Sequence, residues 1–95
     1  MKLIVRRSAS ENIAKTGEWV ERKNTSESGA RWVRRVYETL EDKARMGVKH
    51  AICRNKRLAE LELRCFTYND KWIIAYQIES DKFIVRRFIW GAKLQ

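Results

Sequence analysis

The last strand of the chain decides the fold. It reads FIVRRFIWGAK, residues Phe83 to Lys93, and it places two adjacent arginines inside an apolar run. Successive side chains of a strand point to opposite faces of the sheet. Arg86 and Arg87 are therefore expected to point in opposite directions, so that one of them faces whatever covers the sheet. A buried arginine is costly unless it is paired, so we expect either a partner for that side chain or an open face.

Two further strands are predicted immediately before this run. Glu60 to Phe66 alternates between polar and apolar residues, as a half-exposed strand does. Trp72 to Ile78 is almost continuously apolar, which is typical of a central strand covered on both faces. Polar turn residues separate the three runs at Tyr68 to Asp70 and at Glu79 to Lys82. Short turns between consecutive strands predict a three-stranded antiparallel meander.

The first half of the chain predicts one strand and two helices. Lys2 to Arg7 reads as a short strand, and the spacing of Ser8 and Glu11 is that of a capping box, which predicts a helix start at Ser8. A second apolar stripe at helical spacing runs from Ala30 to Gly47. Two helices joined by so short a turn are expected to be antiparallel neighbours. The predicted fold is α+β with the order β-α-α-β-β-β, a helical hairpin packed on a small antiparallel sheet.

Length and charge restrict the class of protein. The 95 residues are enough for a single domain, residues 1–95, with one core. Lysine and arginine number 21 against 12 acidic residues, a net charge of +9, which points to a polyanionic or acidic partner. No run approaches the eighteen or so apolar residues of a membrane span. We therefore expect a soluble, cytoplasmic protein without membrane contact.

The residues that could support catalysis or metal binding are few. Cys53 and Cys65 do not form a CxxC pair, and His50 is the only histidine, so four zinc ligands of the usual kind cannot be collected. We expect two reduced thiols, no metal and no cofactor. The pKa of His50 should fall among so many cations. The one reaction that this inventory supports is metal-independent cleavage of RNA, in which lysine and arginine hold the phosphate.

Two segments concentrate the positive charge. The predicted second helix carries a basic stripe that is either a solvated face or a contact for an acidic partner. Val48 to Leu58 is predicted to be a basic connecting loop with a short helical turn. This loop either contacts a polyanion or is only an exposed linker. The stripe includes Arg31, Arg34 and Arg35, and the loop includes Lys49, His50, Arg54, Lys56 and Arg57.

The order, spacing and total length of these motifs resemble the RelE/ParE superfamily of bacterial toxin–antitoxin toxins. The resemblance is clearest in three segments: Leu61–Arg64, Trp72–Ile78 and Ile84–Lys93. It implies a small basic toxin of a type II pair, neutralised by an acidic antitoxin that wraps its surface. Under that resemblance, the basic stripe of Arg31, Arg34 and Arg35 is expected to contact the antitoxin.

The superfamily divides by target, and this chain departs from one of the two patterns. RelE-like members cleave messenger RNA in the ribosomal A site with lysines and arginines on the sheet and often a C-terminal Tyr or His. ParE-like members lack that set and poison DNA gyrase. Here Glu60 and Glu62 stand where two lysines are expected, Ile73 replaces an arginine, and Trp90 replaces the C-terminal Tyr or His. Those catalytic roles therefore cannot be carried over.

The departures from the RelE pattern favour a ParE-like, non-hydrolytic gyrase poison. The strong positive charge instead favours ribosome-bound messenger RNA as the target. If the chain is a ribonuclease, Arg64, Arg87 and Lys93 remain as its phosphate ligands and catalytic residues. A non-toxic RNA-binding module is the third alternative. For contact with the target or with nucleic acid, the expected residues are Lys49, His50, Arg54, Lys56, Arg57, Arg86 and Trp90.

Overall fold

A computed structural model describes residues 1–94 of the chain. The predicted order β-α-α-β-β-β is confirmed, with a short additional helix before the meander. The elements are β1 (Lys2–Val5), α1 (Arg7–Lys23), α2 (Ser28–Met46), α3 (Lys56–Glu60), β2 (Arg64–Tyr68), β3 (Trp72–Glu79), β4 (Lys82–Trp90) and a closing 3-10 helix (Gly91–Leu94).

The four strands form one mixed sheet in the order β1-β4-β3-β2. β2, β3 and β4 pair antiparallel, as the short turns predict, with Tyr68 opposite Trp72 and Glu79 opposite Lys82. β1 lies parallel to β4, with Val5 opposite Val85. This parallel pair arises because the helical hairpin carries the chain across the sheet between β1 and the meander.

The helical hairpin covers one face of the sheet, which is called the helix face below. The apolar residues of each helix recur every four positions, which places them on one side. They pack against alternate residues of the strands to form the main core. Its buried members are Ala9, Ile13, Val36, Leu40, Ala44, Phe66, Ile74, Tyr76, Phe83, Val85 and Phe88.

α1 and α2 approach each other at a pair of glycines. A Cβ atom at Gly29 would collide with the carbonyl oxygen of Gly17, and a Cβ at Gly17 would lie 2.5 Å from a methyl carbon of Val33. Both glycines are buried. The cost of about 1 kcal/mol that glycine imposes on a helix is therefore offset here by close contact between the two backbones.

The predicted N-cap of α1 at Ser8 is wrong, because the helix begins earlier and its N-cap lies two residues before Ser8. α1 begins at Arg7, and its N-cap Arg6 is extended and makes no side-chain capping bond. The last hydrogen bond from β1 to β4 runs from the backbone N–H of Arg6 to the carbonyl oxygen of Val85, at 2.9 Å, and α1 begins at the next residue. Ser8 consequently lies inside the helix instead of capping it.

The predicted strand from Glu60 to Phe66 is wrong in its first half. Residues up to Glu60 belong to α3, whose N-cap Asn55 accepts a hydrogen bond from the backbone N–H of Leu58. Glu62 has a left-handed backbone with φ 58°, so the chain reverses there and β2 begins only at Arg64. The alternation of polar and apolar residues arises from a helix end followed by a turn. The two glutamates are therefore not side by side on a strand.

Arg86 and Arg87 do not point in opposite directions, because β4 contains a bulge between them. Tyr76 of β3 pairs with Val85, whereas Ala75 pairs with Arg87, so that Arg86 has no opposite residue. Val85 and Phe88 both belong to the main core, and the two arginines between them lie on the other side of the sheet. Bulges of this kind re-aim side chains by inserting one extra residue.

The face opposite the helices, called the outer face, is covered in part by residues 53–63. Cys53, Leu58 and Leu63 are buried there against Ala75 and form a second, smaller core. The backbone N–H of Cys65 in β2 donates to the carbonyl oxygen of Ala51, at 3.2 Å, and the backbone N–H of Cys53 donates to the carbonyl oxygen of Leu63, just before β2, at 2.9 Å. The segment that was expected to be a connecting loop is therefore folded onto the sheet.

The two cysteines form a disulfide, so the prediction of two reduced thiols is wrong. Cys53 and Cys65 are twelve residues apart in sequence, and their Cα atoms lie 4.9 Å apart, within the usual range for a disulfide. The physical reason is the bridge between Ile52 and Arg64, which brings the two cysteines together. The disulfide ties the covering segment to β2.

Candidate functional site

Polar and aromatic side chains gather where the segment after α2 meets the edge of β2. This edge cluster consists of Lys43, His50, Arg64, Phe66 and Tyr76. The contributing residues come from α2, from the segment before α3, and from two strands. Within the described residues, they bring together the single histidine of the chain and two of its cations.

Backbone contacts hold His50 in place from two sides. Its N–H donates to the hydroxyl oxygen of Tyr76, at 2.8 Å, and that hydroxyl donates to the carbonyl oxygen of Val48, at 2.9 Å. The carbonyl oxygen of His50 accepts a hydrogen bond from Nη1 of Arg64, at 2.7 Å. The segment is therefore fixed by one side chain from the centre of the sheet and one from its edge.

The imidazole ring of His50 lies between a cation and an aromatic ring. It stacks on Phe66 with 5.1 Å between ring centroids, and Nε2 lies 3.2 Å from Nζ of Lys43. Lys43 also lies 4.9 Å from the centroid of Phe66, a cation–π contact. An ammonium group can only donate hydrogen bonds, so Nε2 of His50 must be the acceptor and must carry no proton.

Burial lowers the pKa of His50, and the positive charge of Lys43 lowers it further. The lowered pKa that the sequence predicts is confirmed, although burial contributes more than the neighbouring cation. Burial also raises the pKa of Tyr76, which keeps its hydroxyl protonated as a donor. The imidazole is therefore neutral near pH 7, next to the side chains of Lys43 and Arg64.

This arrangement has the chemical elements of a site for an anion. A neutral imidazole can take a proton from a hydroxyl group, and adjacent cations can stabilise charge that develops on a phosphate. A groove of about 530 Å³ opens beside Arg64 and is also lined by Lys49, Ile52 and Gln77. Glu62 lines the same groove, and its carboxylate opposes the binding of a phosphate there.

The three predicted catalytic residues do not come together. Arg64 pairs with Tyr76 and so lies on the helix face, whereas Arg87 pairs with Ala75 and lies on the outer face, since directly opposed residues of an antiparallel pair share a face. Lys93 lies beyond the end of β4, in the closing 3-10 helix. The two arginines are thus separated by the thickness of the sheet.

Both arginines of the closing strand are half-buried and bonded within the chain. Arg86 donates from Nη1 to Oε1 of Gln77, whose amide in turn donates to Oε2 of Glu79, at 2.9 Å. Arg87 donates from Nη1 to the carbonyl oxygen of Arg86, at 2.9 Å. A partner for a buried arginine is expected from the sequence, and for Arg86 this partner is a neutral amide.

The remaining predicted contact residues are on the surface. Arg31, Arg34 and Arg35 are exposed on α2, and Lys49, Arg54, Lys56 and Arg57 are exposed in and around the covering segment. Within residues 1–94 only two ion pairs form, Arg7 with Glu11 and Arg45 with Asp42. Most of the positive charge therefore faces solvent without an acidic partner.

Trp90 and Lys93 line a second concavity, between α1 and the end of the sheet. This tryptophan cleft has a volume of about 930 Å³. It is separate from the edge cluster, none of whose five residues lines it. The two predicted contact residues Trp90 and Arg86 therefore belong to different surfaces, since Arg86 lies on the outer face.

Sequence reasoning selects His50 and Arg64 but not the residues that complete the edge cluster. Lys43 reads as part of a solvated helix stripe, and Tyr76 as core. The edge cluster forms because Ile52 pairs with Arg64 at the edge of β2. The periodicity of the sequence does not predict this pairing.

Among the described residues, no group of three or more His, Cys, Asp or Glu side chains is arranged to hold a metal ion. In the same residues, no helix combines the length and the apolar composition that crossing a membrane requires. Comparison with protein-family models, with curated proteins and with solved structures finds no match for the chain.

Proposed function

We propose that this chain is the toxin of a bacterial type II toxin–antitoxin pair, a protein that arrests growth and is neutralised by an acidic antitoxin. The observation that carries the proposal is the unneutralised positive charge. The chain has a net charge of +9, and its described part contains only two ion pairs. A surface of this kind favours a strongly acidic partner.

The architecture supports the same proposal. A helical hairpin between a first strand and a three-stranded meander is the arrangement that the resemblance to RelE/ParE toxins implies. α2 presents Arg31, Arg34 and Arg35 on its exposed side, away from the main core. We propose this side as the surface that meets the antitoxin.

For the target we propose DNA gyrase, poisoned without hydrolysis in the ParE-like manner. The supporting observation is the separation of Arg64 and Arg87 on opposite faces of the sheet, with Lys93 at its end. Under the resemblance, these three cations are the remaining candidates for RNA cleavage. They lie too far apart in the fold to contact the same phosphate group. Action on gyrase would place the protein in the cytoplasm.

The second candidate is a metal-independent ribonuclease that acts on ribosome-bound message. The edge cluster favours it, because a neutral His50 lies next to Lys43 and close to Arg64. In that reaction His50 would take the proton of the ribose 2′-hydroxyl once a phosphate had drawn Lys43 away from Nε2. The 2′-oxygen would then bond to phosphorus and displace the 5′-oxygen, which would take up a proton from water.

Growth tests the toxin class. Induced expression should arrest bacterial growth, and a neighbouring reading frame should encode an acidic protein whose co-expression restores growth. Charge reversal of Arg31, Arg34 and Arg35 should weaken this rescue without abolishing arrest. A chain that leaves growth unchanged when expressed would instead be the third alternative, a non-toxic RNA-binding module.

Two assays separate the targets. Purified protein should inhibit supercoiling by gyrase, and primer extension on message in a translating extract should show no new A-site cuts. If cuts appear and His50→Gln removes them while supercoiling is untouched, the ribonuclease replaces the gyrase poison. Arg22→Ala is the control, since it removes an exposed cation in the last turn of α1, outside the edge cluster and outside the predicted contact residues.

A further inference from the structure

The tryptophan cleft collects all four tryptophans of the chain. Trp19 of α1, Trp32 of α2, Trp72 of β3 and Trp90 of β4 line it together. Tryptophan is the largest apolar side chain, and a soluble domain ordinarily uses it as core material or at a binding surface. Four tryptophans from four different elements therefore surround one opening.

The floor of the cleft is a packed aromatic layer. Trp72 stacks on Phe88 with 5.3 Å between ring centroids and 17° between ring planes. Trp32 meets both of these rings edge-on, at 6.0 Å and 5.8 Å. These three side chains belong to the main core or pack directly against it, so the floor is preorganised.

The mouth of the cleft has two exposed indoles. Trp19 is 49% exposed and Trp90 is 51% exposed. Burying an indole is strongly favourable, yet these two rings leave about half of their surface in water. They offer flat apolar faces to a ligand at the edges of a concavity of about 930 Å³.

The charged residues that line the cleft are lysines. Lys15, Lys71 and Lys93 line the cleft from α1, from the turn between β2 and β3, and from the closing 3-10 helix. Among the described lining residues there is no aspartate or glutamate. Asn12, Thr16 and Asn69 add side chains that can form hydrogen bonds. The cleft thus combines aromatic faces with cations and fits a ligand that is both planar and anionic.

We propose that the tryptophan cleft binds single-stranded nucleic acid, with bases stacked on Trp19 and Trp90 and with Lys15, Lys71 and Lys93 near the phosphates. Aromatic platforms beside cations are the way in which proteins hold unpaired strands without reading their sequence. Duplex hides the faces of its bases, so it lacks the surface that the indoles would contact. This site does not depend on the toxin proposal, and it lies away from the edge cluster.

The test must separate stacking from the general attraction of a basic protein for polyanions. A short fluorescein-labelled oligodeoxythymidine, the corresponding RNA, and an abasic strand of the same length and charge are compared by fluorescence anisotropy. The strands with bases should bind more tightly than the abasic strand, by about fivefold to a hundredfold for each stacked base. Equal affinity for strands with and without bases would overturn the proposal.

Variants locate the effect. Trp19→Ala and Trp90→Ala should each reduce the preference for bases, since both rings are at the mouth and neither is a buried part of the core. The control Arg54→Ala with Arg57→Ala removes charge elsewhere and should weaken both kinds of strand equally. A preference for bases that survives both tryptophan replacements contradicts the proposed site.

A measurement on the unaltered chain covers the case in which a tryptophan variant does not fold. In ¹H–¹⁵N spectra, the indole N–H signals of Trp19 and Trp90 should shift on addition of oligodeoxythymidine and not of the abasic strand. The opposite result has a clear meaning as well. Indole signals that move with a polyglutamate peptide and not with the oligonucleotide would assign the cleft to an acidic protein and overturn the proposal.

Discussion

The two faces of the sheet are covered in different ways. On the helix face, two long helices bury aromatic and branched side chains such as Phe83 and Phe88 completely or almost so. On the outer face, the covering is the short segment of residues 53–63, held by a small apolar cluster and by the disulfide of Cys53 and Cys65. The helical hairpin therefore supplies most of the stability of the fold. Residues 53–63 can open locally while the rest of the protein stays folded.

The largest expected effect tests the helix face. Phe83→Ala removes a ring that is fully buried and stacked on Tyr76 at 4.3 Å between centroids. Such a truncation typically costs about 3–5 kcal/mol, and urea unfolding should record that loss. Lys82→Ala, at the exposed neighbouring position, is the control, and its free energy of unfolding should be close to that of the unaltered protein. A cost of Phe83→Ala as small as that of the control would refute the primary role of this face.

The next effect tests the outer face. Replacing both cysteines by serine removes a disulfide between residues that are twelve apart, and the lost restraint on the unfolded chain corresponds to roughly 2–3 kcal/mol. Hydrogen exchange should rise mainly in residues 51–65 and little in β4. If exchange rises uniformly, the covering segment is not a separate unit. Thiols that titrate in the untreated folded protein would show that the bond is absent.

A smaller effect tests the one residue that joins the two regions. The ring of Tyr76 belongs to the main core, and its hydroxyl holds Val48 and His50. Tyr76→Phe keeps the ring and leaves those two backbone groups without that partner, which costs about 1–2 kcal/mol. Unfolding in urea measures the cost, and amide exchange at His50 should accelerate. Tyr37→Phe, on α2, is the control for loss of a tyrosine hydroxyl.

The smallest effect is a dependence on pH. Because the pKa of His50 is lowered in the folded state, the unfolded chain binds a proton more readily than the folded chain. The stability that a neutral His50 contributes is present above the pKa of about 6.5 that histidine has when unfolded, and is lost as the pH falls through the lower folded value. In the His50→Gln variant, the urea midpoint should depend less steeply on pH across that range than in the unaltered protein. An unchanged slope would mean that His50 is not its source.

The meander was predictable because its signals are local. β3 is long and apolar, β4 follows after a turn of two residues, and both strands begin within one residue of their predicted starts. Gly91 to Lys93, which the sequence assigns to the last run, form a 3-10 helix instead. The bulge also left a trace, since the buried residues Val85 and Phe88 are three apart and strict alternation requires an even spacing. A reading by period two alone overlooks this trace and assigns Arg86 and Arg87 to opposite faces.

α3 and the edge cluster were not predictable in the same way. The run from Glu60 to Leu63 alternates in polarity as a strand does, and a left-handed Glu62 has no sequence signal because non-glycine residues seldom adopt that conformation. Lys43, His50 and Tyr76 come together only through the pairing of residues 51–53 with β2. Contacts between positions this far apart depend on tertiary packing, which a single sequence does not encode in its periodicity.

The glycine pair that joins α1 and α2 has a consequence for the tryptophan cleft. Trp19 follows Gly17 by two positions, and Trp32 follows Gly29 by three, so the distance at the glycine crossing sets how far apart the two indoles are held. A single methyl group there must act as a spacer between the helices. Gly29→Ala would therefore move Trp19 relative to the floor of the cleft, and would change the width of the cleft as well as the stability of the helical hairpin.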